Sequence, residues 1–104
     1  MDKANDIKAL FIIVNAGFAE TVIEIAREQG AGGATIINAR GSSPIHKSIM
    51  GITVDTEKEM VLSLVEKDKA DRIIASIKEK AGLGSPAHGI CFVMPVDRMT
   101  GLQA

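Results

Sequence analysis

The sequence predicts an α+β protein with the element order βαββαβ. Two observations predict it, an internal duplication and hydrophobic patterns that alternate between the strand and helix periods. A shift of 51 positions places Ala70–Gly84 on Ala19–Gly33 and Val61–Val65 on Leu10–Val14. Each half therefore contains an apolar strand, a helix, a glycine-containing loop and a second strand. We expect the two halves to form a single domain over residues 1–104.

Both predicted helices carry apolar residues at intervals of three and four, which is typical of a helix with one buried face. The residues that share this face are Phe18, Val22, Ile25 and Ala26 in the first helix and Ala70, Ile73, Ile74, Ile77 and Ala81 in the second. Asp68 is the expected N-cap of the second helix. Gly30 and Gly82 are expected at the C-terminal ends of the first and second helices.

Four strands are predicted over residues 8–14, 34–40, 59–66 and 89–96. With the two helices they predict a ferredoxin-like fold, an antiparallel sheet with both helices on one face. The first strand is nevertheless apolar on both faces, since Leu10 and Ile12 alternate with Phe11 and Ile13, and so is the fourth strand. A bare apolar face of that size exceeds what a soluble monomer normally exposes, so we expect an oligomer.

Composition and charge exclude several classes of function. The net charge is −1 and the three aromatic residues are all Phe, so we expect no nucleic-acid partner. The N-terminal apolar stretch covers only residues 9–14, which is too short for a signal peptide or a membrane span. The single cysteine, Cys91, excludes an internal disulfide and indicates a reducing compartment. We therefore expect a cytoplasmic protein.

Two loops are candidates for function. The connection over residues 41–59, called the 41–59 loop, is long for a link between strands, although "IMGITVD" within it alternates like a strand. It is interpreted either as a solvated hairpin arm or as a mobile loop that binds a partner protein or gates a ligand.

The second candidate, residues 82–89, is called the 82–89 loop. Gly82, Gly84 and Gly89 permit positive φ angles, so successive N–H groups can converge on an anion such as a phosphate. The alternative is a C-cap and turn. The loop matches neither a Walker A motif nor a Rossmann glycine loop.

No catalytic or metal-binding constellation is found in the sequence. His46 and His88 have no cysteine or carboxylate cluster at the spacing of a metal site. Cys91 lies at the start of an apolar strand and is interpreted as a small core residue. We therefore expect no metal site and no enzymatic activity.

The order of these parts resembles the P-II signal-transduction family over nearly the whole chain. The segments that carry the resemblance are "GGATIINARG" (residues 32–41), "VDTEKEMVLSLVEKDKADRII" (54–74) and "FVMPVDR" (92–98). The 41–59 loop stands where that family has its T-loop, and the 82–89 loop where it has its B-loop. The resemblance implies a homotrimer packed through its sheet faces, with an adenine-nucleotide site in each cleft between subunits. It further implies a metabolite sensor, not an enzyme, which regulates a target protein in nitrogen metabolism through the 41–59 loop.

The resemblance also implies a set of ligand-binding residues. Thr35 corresponds to a threonine that meets the adenine, and Arg98 to an arginine with a structural role. Gly41 and Ser43 lie at the base of the 41–59 loop, opposite the anion-facing glycines Gly82, Gly84 and Gly89.

The chain departs from the family pattern at several positions. It has no tyrosine, which rules out tyrosyl uridylylation, and its T-loop is shorter. Ser43, Pro44 and Ile45 stand where the family has a glutamine that helps to hold Mg²⁺ and 2-oxoglutarate, so we expect no strong response to 2-oxoglutarate.

Phosphate-binding cations are missing too, which bears on the choice of nucleotide. Ile90 replaces the lysine that follows Gly89, and the tail "MTGLQA" lacks two arginines that clamp the triphosphate. We expect AMP, ADP or a cyclic dinucleotide to bind better than ATP, because each lost charge-assisted contact weakens a triphosphate by about 1.5–3 kcal/mol.

Two other trimeric or binding modules share the predicted fold. One is the divalent-cation-tolerance type, and the other is an ACT-like module that binds amino acids. Metal binding would favour the first, and a ligand without a phosphate group would favour the second. A third class, a small enzyme on the same fold, is the least supported, and catalytic turnover would favour it.

Overall fold

The computed structural model describes residues 2–3, 6–41, 48–49, 52–53 and 56–101 of the chain. Its elements, in order, are β1 (Asp2–Lys3), β2 (Ile7–Asn15), α1 (Ala19–Glu28), β3 (Thr35–Gly41), β4 (Ser48–Ile49), β5 (Ile52–Thr53), β6 (Thr56–Glu66), α2 (Lys67–Ala81), β7 (Ile90–Pro95) and β8 (Arg98–Met99).

Four strands form an antiparallel sheet in the order β3-β6-β2-β7. The central strand β2 pairs with β6 from Ile7↔Glu66 to Asn15↔Lys58, and on its other side with β7. The pairing joins strands from both halves of the chain, which is the ferredoxin-like arrangement. The predicted α+β fold with the order βαββαβ is confirmed.

One face of the sheet is buried beneath the two helices. The core residues are Leu10, Ile12 and Val14 of β2, Val61 and Val65 of β6, Val22, Ile25 and Ala26 of α1, and Ala70, Ile73, Ile77 and Ala81 of α2, together with Ala19, Ile23 and Ala87. Phe18 and Ile74 are partly buried against this cluster. The helix faces predicted from the sequence are therefore the faces that pack on the sheet.

The C-terminal end of α1 is the end that the sequence predicts. Gly30 has a φ of 100° and follows the C-cap residue Gln29. Its amide donates to the Arg27 carbonyl at 2.9 Å, and the Ala31 amide donates to the Ala26 carbonyl at 3.1 Å. These two bonds form a Schellman motif, which requires a residue that tolerates positive φ.

The start of α2 differs from the prediction. The N-cap position is Glu66, which makes no side-chain capping bond, and Lys67 is the first helical residue. Strand β6 runs directly into the helix, so no loop is available for Asp68 to act as N-cap. Instead the Lys67 amide donates to the Asp6 carbonyl at 2.6 Å. At the other end of α2, Gly82 is the C-cap, as predicted.

The second face of the sheet is apolar as well, and we call it the bare face. It carries Phe11 and Ile13 of β2, Ile37 of β3, Met60, Leu62 and Leu64 of β6, and Ile90, Phe92 and Met94 of β7. Ile90 is 51% exposed and Met94 is 49% exposed. The Phe11 and Phe92 rings stack across the strands with centroids 5.1 Å apart. The predicted two-sided apolarity of the first and fourth strands is confirmed.

Two short strand pairs lie outside this sheet. Within the 41–59 loop, β4 pairs with β5 through Ser48↔Thr53 and Ile49↔Ile52, so part of this loop is extended as expected. Ser43 and the rest of segment 42–47 lie outside the described residues. β1 pairs with β8 through Asp2↔Met99 and Lys3↔Arg98, a pairing that the sequence does not predict.

None of the helices in the described part of the chain has the length and apolar character needed to cross a membrane.

Candidate functional site

Both candidate loops meet the sheet at the same end. There β3 ends at Gly41, β6 begins at Thr56, β2 ends at Asn15, and the 82–89 loop leads into β7. Adjacent strands are roughly 4.8 Å apart, so this end of the sheet is roughly 14 Å wide from β3 to β7. Gly41 and the glycines of the 82–89 loop, which the sequence assigns to one site, therefore lie on one edge of the fold.

Asn15 fixes the 82–89 loop to this edge. Its backbone amide donates to the Ala87 carbonyl at 2.9 Å. Its side-chain Nδ2 donates to the Pro86 carbonyl at 3.0 Å. The loop is therefore attached to the end of the central strand at two consecutive residues.

Lys58 places a cation between the two loops. Its Nζ donates to Asn15 Oδ1 at 2.6 Å. Its Cγ and Cε lie 3.2 Å from the position that a Cβ on Gly41 would occupy, so the side chain passes over Gly41. The sequence analysis missed this residue. The signal that could have found it is the pairing of β2 with β6, which makes Asn15 and Lys58 direct neighbours.

Glu59 holds the start of α1. Its Oε1 accepts hydrogen bonds from the Gly17 amide at 2.6 Å and the Ala19 amide at 3.3 Å. Phe18 at the N-cap position cannot cap a helix, so a carboxylate from another strand satisfies these amides and the positive end of the helix dipole. The Ala16 amide also donates to the Glu57 carbonyl at 3.1 Å, which fixes the start of β6 against the same turn.

A polar groove lies beside this turn, with a volume of about 560 Å³. Its lining residues are Ala16, Asn38, Ala39, Arg40, Glu57, Lys58 and Glu59. Asn38 and Arg40 pair with Glu59 and Glu57 across the two strands, and so belong to the helix-covered face of the sheet. The Lys58 side chain instead lies on the bare face together with Asn15 and Gly41, since residues that alternate along a strand point to opposite faces.

The expectation of positive φ angles in the 82–89 loop is wrong, since Gly82, Gly84 and Gly89 all lack them, whereas His88 has a φ of 52°. Two of the glycines are required for a different reason. A Cβ on Gly82 would lie 2.5 Å from the Lys78 carbonyl oxygen, and one on Gly89 would lie 2.4 Å from the Ala81 carbonyl oxygen. These glycines allow the loop to approach the end of α2 closely.

Three of the loop amides are used to close the loop. The amides of Ser85, His88 and Gly89 donate to the carbonyls of Gly82, Ser85 and Ala81 at 3.0, 3.0 and 2.8 Å. Gly89 therefore has no amide available for an anion. Gly84 differs, since a Cβ there would meet nothing within 4 Å, and its amide has no acceptor among the described residues. Gly84 is therefore open on the side where a side chain would project.

Thr35 and Arg98, the other two predicted site residues that the structure describes, do not lie at this end of the sheet. Thr35 is exposed on the bare face at the far end of β3, roughly 20 Å from Gly41 along an extended strand. Arg98 lies on β8, beyond the opposite end of β7, with its Nε 3.9 Å from Asp97 Oδ2. Within one chain, therefore, neither Thr35 nor Arg98 lies beside the glycines of the 82–89 loop.

In the described part of the chain, the other reactive side chains form no metal-binding site. Among the described residues, no group of three or more His, Cys, Asp or Glu side chains is arranged to hold a metal ion. His88 Nδ1 is 2.8 Å from the Leu83 carbonyl oxygen, within its own loop. Burial raises the pKa of the Cys91 thiol to about 11, so this thiol is protonated at neutral pH.

Comparison with known proteins gave a family match and several structural matches. A family model described as nitrogen regulatory protein P-II matches residues 7–104. A comparison with curated protein sequences gave no match.

Three solved structures are similar to this chain. A putative PII-like signaling protein from Thermus thermophilus is 22% identical, with a TM-score of 0.68 over 90% of this chain and 89% of that one. CPII, a nitrogen regulatory PII-like protein from Thiomonas intermedia bound to ADP, AMP and bicarbonate, is 15% identical, with a TM-score of 0.69 over 92% and 96%. GlnK of B. subtilis in complex with ATP is 18% identical, with a TM-score of 0.68 over 90% and 86%. At these identities the likeness shows a shared fold.

Proposed function

This chain belongs to the nitrogen regulatory protein P-II family, and from that premise we propose that it senses an adenine nucleotide and regulates a partner protein. The resemblance stated from the sequence is thereby confirmed. We propose that the protein is a cytoplasmic regulator and not an enzyme. Its 41–59 loop contacts the partner, and nitrogen metabolism is the proposed setting.

The observation that carries the proposal is the position of Lys58. Its ammonium lies beside Asn15, which holds the 82–89 loop, and its stem passes over Gly41 at the base of the 41–59 loop. We propose that a phosphate group bound here contacts the Lys58 ammonium group and the Gly84 amide, which has no acceptor among the described residues. An anion between the two loops would therefore contact both of them.

The same arrangement supports a preference among nucleotides. The family lysine after Gly89 and the two tail arginines are missing. On the bare face of the described residues this edge carries one cation, Lys58, whereas Arg40 lies on the helix-covered face. Each further phosphate adds charge that has no matching cation, so we expect AMP, ADP or a cyclic dinucleotide to bind more tightly than ATP. One similar structure, CPII, holds ADP and AMP.

We further propose a homotrimer in which the bare faces pack together. Large apolar side chains on this face, among them Phe92 and Met94, are 40% and 49% exposed in one chain. Thr35 lies on the same face, far from Gly41. A cleft between two copies would bring the adenine contact of Thr35 and the phosphate contact of Gly84 to one ligand.

Light scattering tests this assembly. We expect the mass of a trimer for the wild-type chain and a lower mass for Phe92→Glu, which places a charge in the proposed interface. Ile36→Glu is the matched control, because Ile36 is equally exposed at 40% but lies on the helix-covered face at the sheet edge. A monomeric wild type at micromolar concentration would contradict the trimer.

Isothermal titration calorimetry tests the ligand. We expect binding of AMP, ADP or cyclic di-AMP, weaker binding of ATP, and no dependence on 2-oxoglutarate, since Ser43, Pro44 and Ile45 replace the family glutamine. Tightest binding of ATP, or tight ATP-dependent binding of 2-oxoglutarate, would overturn the proposed preference. A wild-type trimer that binds none of these nucleotides would overturn the assignment of the ligand.

A further inference from the structure

We infer that Asn15 is a positioning residue that couples the 41–59 loop to the 82–89 loop. In this inference, a bound anion draws the Lys58 ammonium group away from the Asn15 side chain. The part of this inference that concerns a bound nucleotide rests on the proposed function. The coupling itself is a property of the protein without ligand.

Both ends of the Asn15 carboxamide are used. Nδ2 donates to the Pro86 carbonyl at 3.0 Å, and Oδ1 accepts from Lys58 Nζ at 2.6 Å. An asparagine side chain can donate on one side and accept on the other, whereas an aspartate cannot donate and an alanine can do neither. The carboxamide is therefore a two-sided connection between the 82–89 loop and the C-terminal end of the 41–59 loop.

Neighbouring contacts reinforce this connection on both sides. Glu57 and Glu59, on either side of Lys58, bind the Ala16 and Gly17 amides directly after Asn15. Three consecutive residues of β6 thus contact three consecutive residues at the end of β2. A displacement of the β6 start therefore acts on Asn15 and on the loop that Asn15 holds.

An anion at this edge would change the partner of Lys58. Asn15 Oδ1 is a neutral acceptor, and a phosphate oxygen is a charged one that forms a shorter and stronger bond with an ammonium group. When Lys58 turns to the phosphate, Asn15 loses its donor and the 82–89 loop loses part of its fixation. Because coupling between two sites is reciprocal, a partner that holds the 41–59 loop would change nucleotide affinity by the same factor.

Hydrogen exchange of the protein without ligand tests the coupling. Lys58→Met keeps an unbranched stem over Gly41 but removes the ammonium group. We expect amide exchange of Asn15 and of residues 85–89 to rise at least threefold, while the amides of residues 30–34 are unchanged. Unchanged exchange in residues 85–89 overturns the inference, whether or not any nucleotide binds.

Binding of ADP and of adenosine tests the role of Lys58 toward a phosphate. Asn15→Asp gives Lys58 a charged acceptor that competes with the phosphate, so we expect ADP affinity to fall at least tenfold and adenosine affinity to be unchanged. Asn38→Asp is the matched control, because it adds the same charge at the same end of the sheet but on the helix-covered face. Equal losses of ADP affinity in both variants would show simple charge repulsion and overturn the role of Asn15.

The two experiments separate failure of this inference from failure of the proposed function. If Lys58→Met changes exchange as expected but the wild type binds no nucleotide, the coupling stands and the nucleotide assignment fails. If the wild type binds ADP and Asn15→Asp has no effect on it, the nucleotide assignment stands and the inference fails.

Discussion

The loops that follow α1 and α2 occupy equivalent positions in the two halves of the chain, yet they are built differently. The first, residues 30–34, reverses the chain at Gly30 with a φ of 100° and leads at once into β3. The second, residues 82–89, contains no glycine with positive φ and closes through the bond from the Gly89 amide to the Ala81 carbonyl. The two helix ends align in the internal duplication, but they differ in conformation, and the second loop is the longer of the two.

The two loops also differ in the space around their glycines. The side of Gly30 where a side chain would project is covered by the Lys69 stem, 2.9 Å from the position of a Cβ. Gly84 in the second loop faces open space. Substitutions at Gly30 and Gly84 can therefore distinguish the role of a glycine that ends a helix from the proposed role of a glycine that contacts a ligand.

The largest effect is expected for Gly89→Val. The new side chain would collide with the Ala81 carbonyl oxygen, 2.4 Å from its Cβ, and with Val14 Cγ1 at 3.3 Å. Neither the end of α2 nor the core can yield easily, so we expect the free energy of unfolding to fall by about 3 kcal/mol. Urea denaturation measures this loss, and a variant as stable as the wild type would show that the second loop does not need its close approach to α2. Lost nucleotide binding in this variant would not report on a ligand contact, because the loop itself would move.

A smaller loss of stability is expected for Gly30→Ala. A residue with a Cβ at φ of 100° is strained, which costs about 1–2 kcal/mol, while the flexible Lys69 stem can move aside. Gly32→Ala is the control, since Gly32 lacks positive φ and has nothing within 4 Å. Nucleotide affinity should be unchanged in both variants. A drop in affinity for Gly30→Ala would erase the functional difference between the two loops.

The smallest effect is expected for the thiol that follows the second loop. Burial raises the pKa of Cys91 to about 11, so between pH 9 and pH 11 the unfolded chain releases this proton while the folded protein retains it. The free energy of unfolding should therefore decrease as the pH rises through this window, and Cys91→Ala should remove that part of the decrease. Denaturant unfolding at about pH 8 and about pH 10.5 measures the difference. Identical pH dependence of the free energy of unfolding in both proteins would mean that the Cys91 thiol is not buried in the folded protein.

Much of the fold could be predicted because each main element has a period. The strand predicted at residues 8–14 is Ile7–Asn15, and the strand predicted at 34–40 is Thr35–Gly41. The pairing of β1 with β8 could not be predicted, because strands of two residues carry no periodic signal. The N-cap of α2 was misplaced at Asp68 because the sequence does not show that β6 runs into the helix without a loop.

Less of the site could be predicted, since it depends on contacts between distant segments. Asn15 and Lys58 are 43 positions apart, and only the register of β2 against β6 makes them neighbours. The sequence shows that the 82–89 loop contains three glycines, Gly82, Gly84 and Gly89. It does not show which of them serves close packing and which faces open space, because that depends on where the end of α2 lies.

Calorimetric titration of Gly84→Val with ADP tests whether the 82–89 loop binds the ligand. A Cβ at this position would meet no neighbour within 4 Å, and Gly84 has no positive φ, so we expect the free energy of unfolding to stay within about 0.5 kcal/mol of the wild type. Ala75→Val, on the exposed face of α2, is the matched control. We expect at least a tenfold loss of ADP affinity for Gly84→Val and none for Ala75→Val. Unchanged ADP affinity in a folded Gly84→Val protein would contradict the assignment of the 82–89 loop as the ligand-binding loop.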